Sequence, residues 1–279
     1  MKMKSLPLMA LLCTGVFTAC EEQDLSSLLD SSNSDLAVAY VGAESDFLDI
    51  YQRVELAMRD STLLATGSTT MDGAAVSLNP VSGTLSINFG NTNVLTSDGK
   101  ARRGSINISN LTPTFLTVPN SSMQVSTNEF YVDDDKTELF FQTINRGLSG
   151  TAQHFEVDTF ALDVENGNYQ LRGHKNFYWL QGFTTINQGN DDIYRMEGFS
   201  RAVGQSNGAE INATFSAASP FTVDRSCDYT VTQGIIDLVV VKSEGNQTGS
   251  VDFIPEDGCN NLMRVSLNGL STTVPMPDF

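Results

Sequence analysis

Only two histidines occur in the 279 residues, His154 and His174, so imidazole chemistry has two places to sit. Neither belongs to a nucleophile motif. There is no Gly-x-Ser-x-Gly, no His-Glu-x-x-His and no Gly-rich phosphate loop between a strand and a helix. His154 stands between Gln153 and Phe155 in an alternating stretch, which predicts a solvent-facing strand position. Asp and Glu number 33, so two carboxylates at glycosidase spacing arise by chance and carry no signal. Asp133-Asp134-Asp135 and Asn190-Asp191-Asp192 offer the oxygen ligands that Ca²⁺ prefers. Neither has EF-hand spacing, and no metal, cofactor or catalytic residue is assigned. The most suggestive run is Phe177-Tyr178-Trp179. In a strand Phe177 and Trp179 face one way, toward a core, and Tyr178 the other. Tyr178, Trp179 and Tyr194 are the candidate stacking residues for a sugar ring. A glycan binder needs them to line one groove; a scaffold needs them in the core.

The elements that must position these residues are mostly strands. From Gly83 onward the apolar residues alternate: Leu85, Ile87 and Phe89; Ile106 and Ile108; Phe155 and Val157; Val239 and Val241; Val265 and Leu267. Period two marks half-buried strands. Turn chemistry recurs at Asp98-Gly99, Asn145-Arg146-Gly147, Asn166-Gly167, Asn207-Gly208, Glu244-Gly245-Asn246, Asp257-Gly258 and Asn268-Gly269. No long crossover helices occur, which excludes parallel pairing. The expected fold is mainly β: an antiparallel meander of about a dozen strands, forming a sandwich or a strongly curved open sheet. One short amphipathic helix, Ser45 to Met58, packs on it. Phe47, Ile50, Tyr51, Val54 and Met58 form its apolar stripe, with Glu55 and Arg59 on the wet side. Residues 36–82 read as a helical and loop lead-in, and 83–279 as the all-β domain.

The N-terminus has a different character. Lys2 and Lys4 precede an apolar stretch of roughly a dozen residues and small residues at 18–19, the pattern of a secretory signal. A membrane-spanning helix needs about 20 apolar residues, more than this segment has. Phe17-Thr18-Ala19-Cys20 resembles a bacterial lipobox, with Phe17 where Leu is usual. That resemblance implies removal of residues 1–19 and acylation, palmitate included, of Cys20. The remaining chain carries 14 basic against 33 acidic side chains, a formal charge of −19. Such a balance excludes nucleic acid and electrostatic docking on anionic lipid. Attachment to the membrane therefore falls to acyl chains, each contributing about 0.8 kcal/mol per buried methylene.

Residues 20–35, rich in acids and serines, read as a flexible tether. Cys13 leaves with the signal, and Cys227 and Cys259 remain as an even pair in an oxidising compartment. A disulfide between them closes a loop worth roughly 3–4 kcal/mol on the chain-entropy model.

Acids directly after Cys20 resemble the surface-export signal of Bacteroidota lipoproteins. Asp60-Ser61-Thr62 resembles the short O-glycosylation site of the same bacterial group. Ile87-Asn-Phe-Gly90, Asp98-Gly-Lys-Ala-Arg-Arg-Gly104, Phe130-Tyr-Val132, Asn145-Arg-Gly147, Asp191-Asp-Ile-Tyr194, Arg225-Ser-Cys227 and Asp257-Gly-Cys259-Asn-Asn261 together resemble an uncharacterised group of such lipoproteins. The resemblance implies a single all-β domain with a cysteine pair near its end, and no established activity. The expected protein is a non-catalytic binding, adhesion or structural module, anchored in the outer membrane and facing outward. Its expected partners are the membrane, through Cys20, and a glycan or an envelope protein. The alternative expectation is a glycan-binding or glycan-degrading accessory protein.

Overall fold

The computed structural model describes residues 31–112, 114–164, 169–185, 189–204, 209–227, 231–243, 245–253 and 262–276. Two helices come first, α1 (Ser31–Arg59) and α2 (Ser61–Thr66). The strands then run β1 (Ser68–Met71), β2 (Ala74–Asn79), β3 (Thr84–Leu95), β4 (Ala101–Ser109), β5 (Ser122–Val132), β6 (Asp135–Ser149), β7 (Ala152–Val164) and β8 (Tyr169–Gln181). They continue through β9 (Ile193–Gly204), β10 (Glu210–Phe215), β11 (Phe221–Asp224), β12 (Val231–Val241), β13 (Gln247–Phe253), β14 (Leu262–Leu267) and β15 (Leu270–Pro275).

These strands form one sheet in which sequence neighbours pair antiparallel from β1 to β15. The single departure is the β10–β11 row, where both short strands lie between β9 and β12. The meander expected from the alternation is therefore present as a curved open sheet rather than a sandwich. Local chemistry explains its hairpins. Asp72-Gly73, Asp133-Asp134 and Asn268-Gly269 all take positive φ at both positions, as two-residue turns require. Asn145-Arg146-Gly147, expected as a turn, lies inside β6. The register shifts there and Gly147 has φ +82°, so this glycine serves a bulge.

Helix α1 is interior to the sheet. The stripe Phe47, Ile50, Tyr51, Val54 and Met58 is buried, but so are Ala37, Tyr40, Val41, Leu48 and Ala57 on the other sides. A helix that buries apolar residues on every side must be enclosed, even though it also carries charges. The sheet supplies the enclosure by curling. Side chains of α1 reach Arg102 on β4, Lys175 on β8 and Ser200 on β9, and the helix also approaches β14. Phe47 meets Phe141 of β6 edge-on at 5.5 Å, and Tyr51 stacks on Phe177 of β8 at 4.5 Å with planes 15° apart. Asp60 ends α1 and caps α2, accepting the Leu63 amide at 2.8 Å, and Gly67 closes α2 at φ +78°.

Two boundaries differ from expectation. The helix begins at Ser31, not Ser45, so the tether assigned to 20–35 is helical from Ser31; residues 1–30 lie outside the described residues. Leu36, Ala37, Tyr40 and Val41 extend the helix's apolar pattern upstream, but polar residues before them obscure it in the sequence. Strands β1 and β2 fall within the stretch read as helix and loop. β1 is only four residues long and half-exposed, and β2, in which Ala74, Val76 and Leu78 alternate, is a short run set between turn residues that read as loop.

Phe177→Ala should cost about 3–5 kcal/mol in urea unfolding, the usual loss for a buried aromatic ring. A loss below about 0.5 kcal/mol, the surface value, would contradict the packing of α1 against β8.

Candidate functional site

The chemistry-bearing side chains gather where α1 meets the sheet, in three clusters along the helix. In the first, Lys175 Nζ lies 2.6 Å from Glu44 Oε2. Tyr40 OH and Ser200 Oγ donate to Glu44 Oε1 at 2.8 and 2.7 Å. All four groups are buried. The Lys175 ammonium also sits 4.4 Å from the Phe215 ring centre. Burial lowers the pKa of Lys175, and the Glu44 charge opposes that shift.

The second cluster joins α1 to the first hairpins. Arg53 contacts Asp49 at 3.1 Å, Asp72 at 3.1 Å and Asp98 at 2.8 Å. Arg102, fully buried on β4, contacts Asp49 at 3.1 Å and Asp98 at 2.6 Å. Burial works against the Asp98 charge, yet hydrogen bonds from Arg102 and Thr96 hold its carboxyl well below the usual range. Asp46 behaves oppositely. Burial pushes it up to about 7, against Lys100 and Arg102 and with help from the repulsion of Asp49 and Asp135.

The third cluster closes the far end of α1. Arg59 contacts Asp192 at 2.6 Å, Tyr194 OH at 2.7 Å and Glu55 closely. Arg225 reaches the same Asp192 oxygen at 2.9 Å, and Trp179 Nε1 donates to its other oxygen at 3.0 Å. The Arg59 guanidinium lies over the Trp179 ring at 4.1 Å. Glu55 and Arg59, expected on a wet face, are both buried here, because the enclosed helix has no wet face at this end. Beside the cluster lies a cavity of about 340 Å³ lined by Leu56, Arg59, Asp60, Ser61, Thr62, Met71 and Gly189. A Cβ on Gly189 would come 3.2 Å from Leu56 Cδ2 and 3.5 Å from Arg59 Nη1, narrowing that cavity.

The candidate stacking residues do not share a groove. Trp179 and Tyr194 are core residues, 1% and 6% exposed, stacked on each other at 5.5 Å. Tyr178 is on the convex side, between the His154 ring at 4.7 Å and Arg195 at 4.4 Å. Period two separates Tyr178 from Trp179, and Tyr194 follows Trp179 because the two are cross-strand partners. The acidic turns are also engaged. Asp133 accepts the Ala101 amide at 2.8 Å, Asp134 pairs with Arg103, and Asp191 accepts from Thr185 at 2.7 Å. His154 faces outward as expected, with Nε2 at 2.9 Å from Asn176 Oδ1. Cys227 stands in a 3-10 turn after β11. Cys20 and Cys259 lie outside the described residues.

Comparison of the chain with protein-family profiles, curated proteins and solved structures finds no match. Among the described residues no helix is long and apolar enough to cross a membrane.

Asp46 makes stability depend on pH. The folded carboxyl keeps its proton up to about pH 7, while the unfolded chain releases it near 3.8. Folding therefore takes up a proton between those values, and stability falls as pH rises through this window. Asp46→Asn cannot ionise. Unfolding curves should show it gaining on the parent protein between pH 4 and pH 8, and a difference independent of pH would contradict the assignment.

Proposed function

We propose that the chain is a lipid-anchored protein of the outer membrane, facing the cell exterior, that works without catalysis in binding, adhesion or structural support. One observation carries the non-catalytic part of this reading: α1 fills the concave side of the sheet. The concave side of a curled sheet is where a ligand chamber or active centre would otherwise be built. Here it holds a helix whose Glu44, Asp49 and Glu55 are paired with Lys175, Arg53, Arg102, Arg59 and Arg225. That leaves the convex face and the sheet edges for partners. A sugar-binding groove draws little support, since only Tyr178 of the three candidate aromatics is on the outside.

The lipid anchor rests on the resemblance of Phe17-Thr18-Ala19-Cys20 to a lipobox. Ser31, where α1 starts, follows Cys20 closely, so an acyl anchor at Cys20 would hold the plugged sheet near the membrane on a short stalk. The Cys227–Cys259 bond belongs to the same reading. The even pair left after Cys13 and Cys20 supports it.

Two experiments test these assignments. Cys20→Ala should move the protein from the membrane to the soluble fraction, and protease added to intact cells should digest the parent protein. Membrane retention of the variant would refute the anchor, and protection from protease would refute the outward orientation. Non-reducing peptide mapping should recover Cys227 joined to Cys259, and a Cys259 thiol that alkylates in the native mature protein would refute the bond.

A further inference from the structure

The convex face of the β7–β8 hairpin carries both histidines of the chain. His154, Glu156 and Asp158 project from β7, and His174, Asn176 and Tyr178 from β8. The ladder sets Asp158 directly opposite His174, with Glu156 one pleat along. His174 Nδ1 is 2.7 Å from Asp158 Oδ1, and the ligand atoms of Glu156, Asp158 and His174 all lie within 4.8 Å of one another.

From this geometry we propose a binding site for one divalent transition-metal ion, of the Zn²⁺ type, held by an imidazole nitrogen of His174 and one carboxylate oxygen each of Asp158 and Glu156. The distances suit it. Metal–ligand bonds of about 2.0–2.2 Å at tetrahedral angles place ligand atoms roughly 3.4 Å apart. The His174–Asp158 pair opens slightly to reach that spacing, and Glu156, within 4.8 Å of both, needs at most a small rotation, each within the swing of surface side chains. The donor set suits it too. Two carboxylates offset the charge of the ion, and an imidazole selects a borderline ion over Ca²⁺, which prefers oxygen alone.

The surroundings are consistent with a built site. Phe199, 57% exposed on β9, lies beside the His174 ring with centres 6.2 Å and planes 26° apart, which gives an exposed aromatic a role as one wall of the site. Metal binding replaces the His174–Asp158 contact and competes with Arg146, whose Nε donates to Glu156 Oε2 at 2.5 Å. Arg146 and Glu156 form a solvent-accessible pair, the kind that yields readily to a stronger ligand. His154 takes no part, since it is turned toward Asn176 and Tyr178. Three protein ligands leave the fourth position open to solvent, where a donor from another molecule can complete the ion's shell.

Calorimetric titration of the EDTA-stripped mature protein with Zn²⁺ tests the site. One ion per chain is expected. His174→Ala and Asp158→Asn should each weaken binding at least about tenfold, and His154→Ala should leave it unchanged. All three ligands are on the outer face, so the metal-free variants should melt with the parent protein. Co²⁺ should give visible absorption bands in the parent protein and none in His174→Ala. No Zn²⁺ binding by the parent protein, or undiminished binding by His174→Ala, would overturn the proposal.

Discussion

A helix that carries charge into the middle of a sheet has to find a partner for each charge there, and this constraint shapes the whole molecule. Helix α1 brings Glu44, Arg53, Glu55 and Arg59 into surroundings with little water, and Asp49 to their edge. An isolated buried charge costs several kcal/mol, so the strands and the turns between them must present complementary groups at matching heights. They do so through Lys175 for Glu44, Arg102 for Asp49, Asp72 and Asp98 for Arg53, and Asp192 and Tyr194 for Arg59. From Glu44 to Arg59 the helix rises about 22 Å at 1.5 Å per residue. The ion pairs are distributed along that length and bind different parts of the sheet.

Burial of apolar surface supplies the stability, and the ion pairs supply position. Phe47, Tyr51, Phe141 and Phe177 would pack in several related ways if α1 slid or rotated. Glu44 between Lys175, Tyr40 and Ser200 admits only one of them. Buried ion pairs add little net stability over apolar residues of the same shape, but losing one partner is strongly destabilising. Three such clusters therefore fix the depth and rotation of α1, and through it the curvature of the sheet.

The sheet was legible in the sequence because its rule is local. Leu85, Ile87 and Phe89 alternate visibly, and Asn268-Gly269 announces its own turn. Part of the buried charge had a signal that the reading of Phe177 and Trp179 left unused. Lys175 lies in the row Leu171, Lys175, Phe177, Trp179, all buried, so period two alone places it inside. What was not legible is what depends on enclosure. The spacing of Glu55 and Arg59 is the same on a wet helix face and on a buried one, and only the curl of distant strands decides between them. The clustering of Arg59 with Asp192 and Arg225 joins residues far apart in the chain and leaves no mark at short range. Asn145-Arg146-Gly147 shows the converse limit, since a positive-φ glycine serves a bulge as well as a turn.

The interior placement of α1 is most directly tested by native-state hydrogen exchange. Amides of residues 40–58 should exchange only with global unfolding, at the same free energy as the central strands β6 to β9. Exchange of those helix amides through a local opening several kcal/mol below the global value would mean that the helix leaves the sheet while the strands stay folded, and would contradict the account.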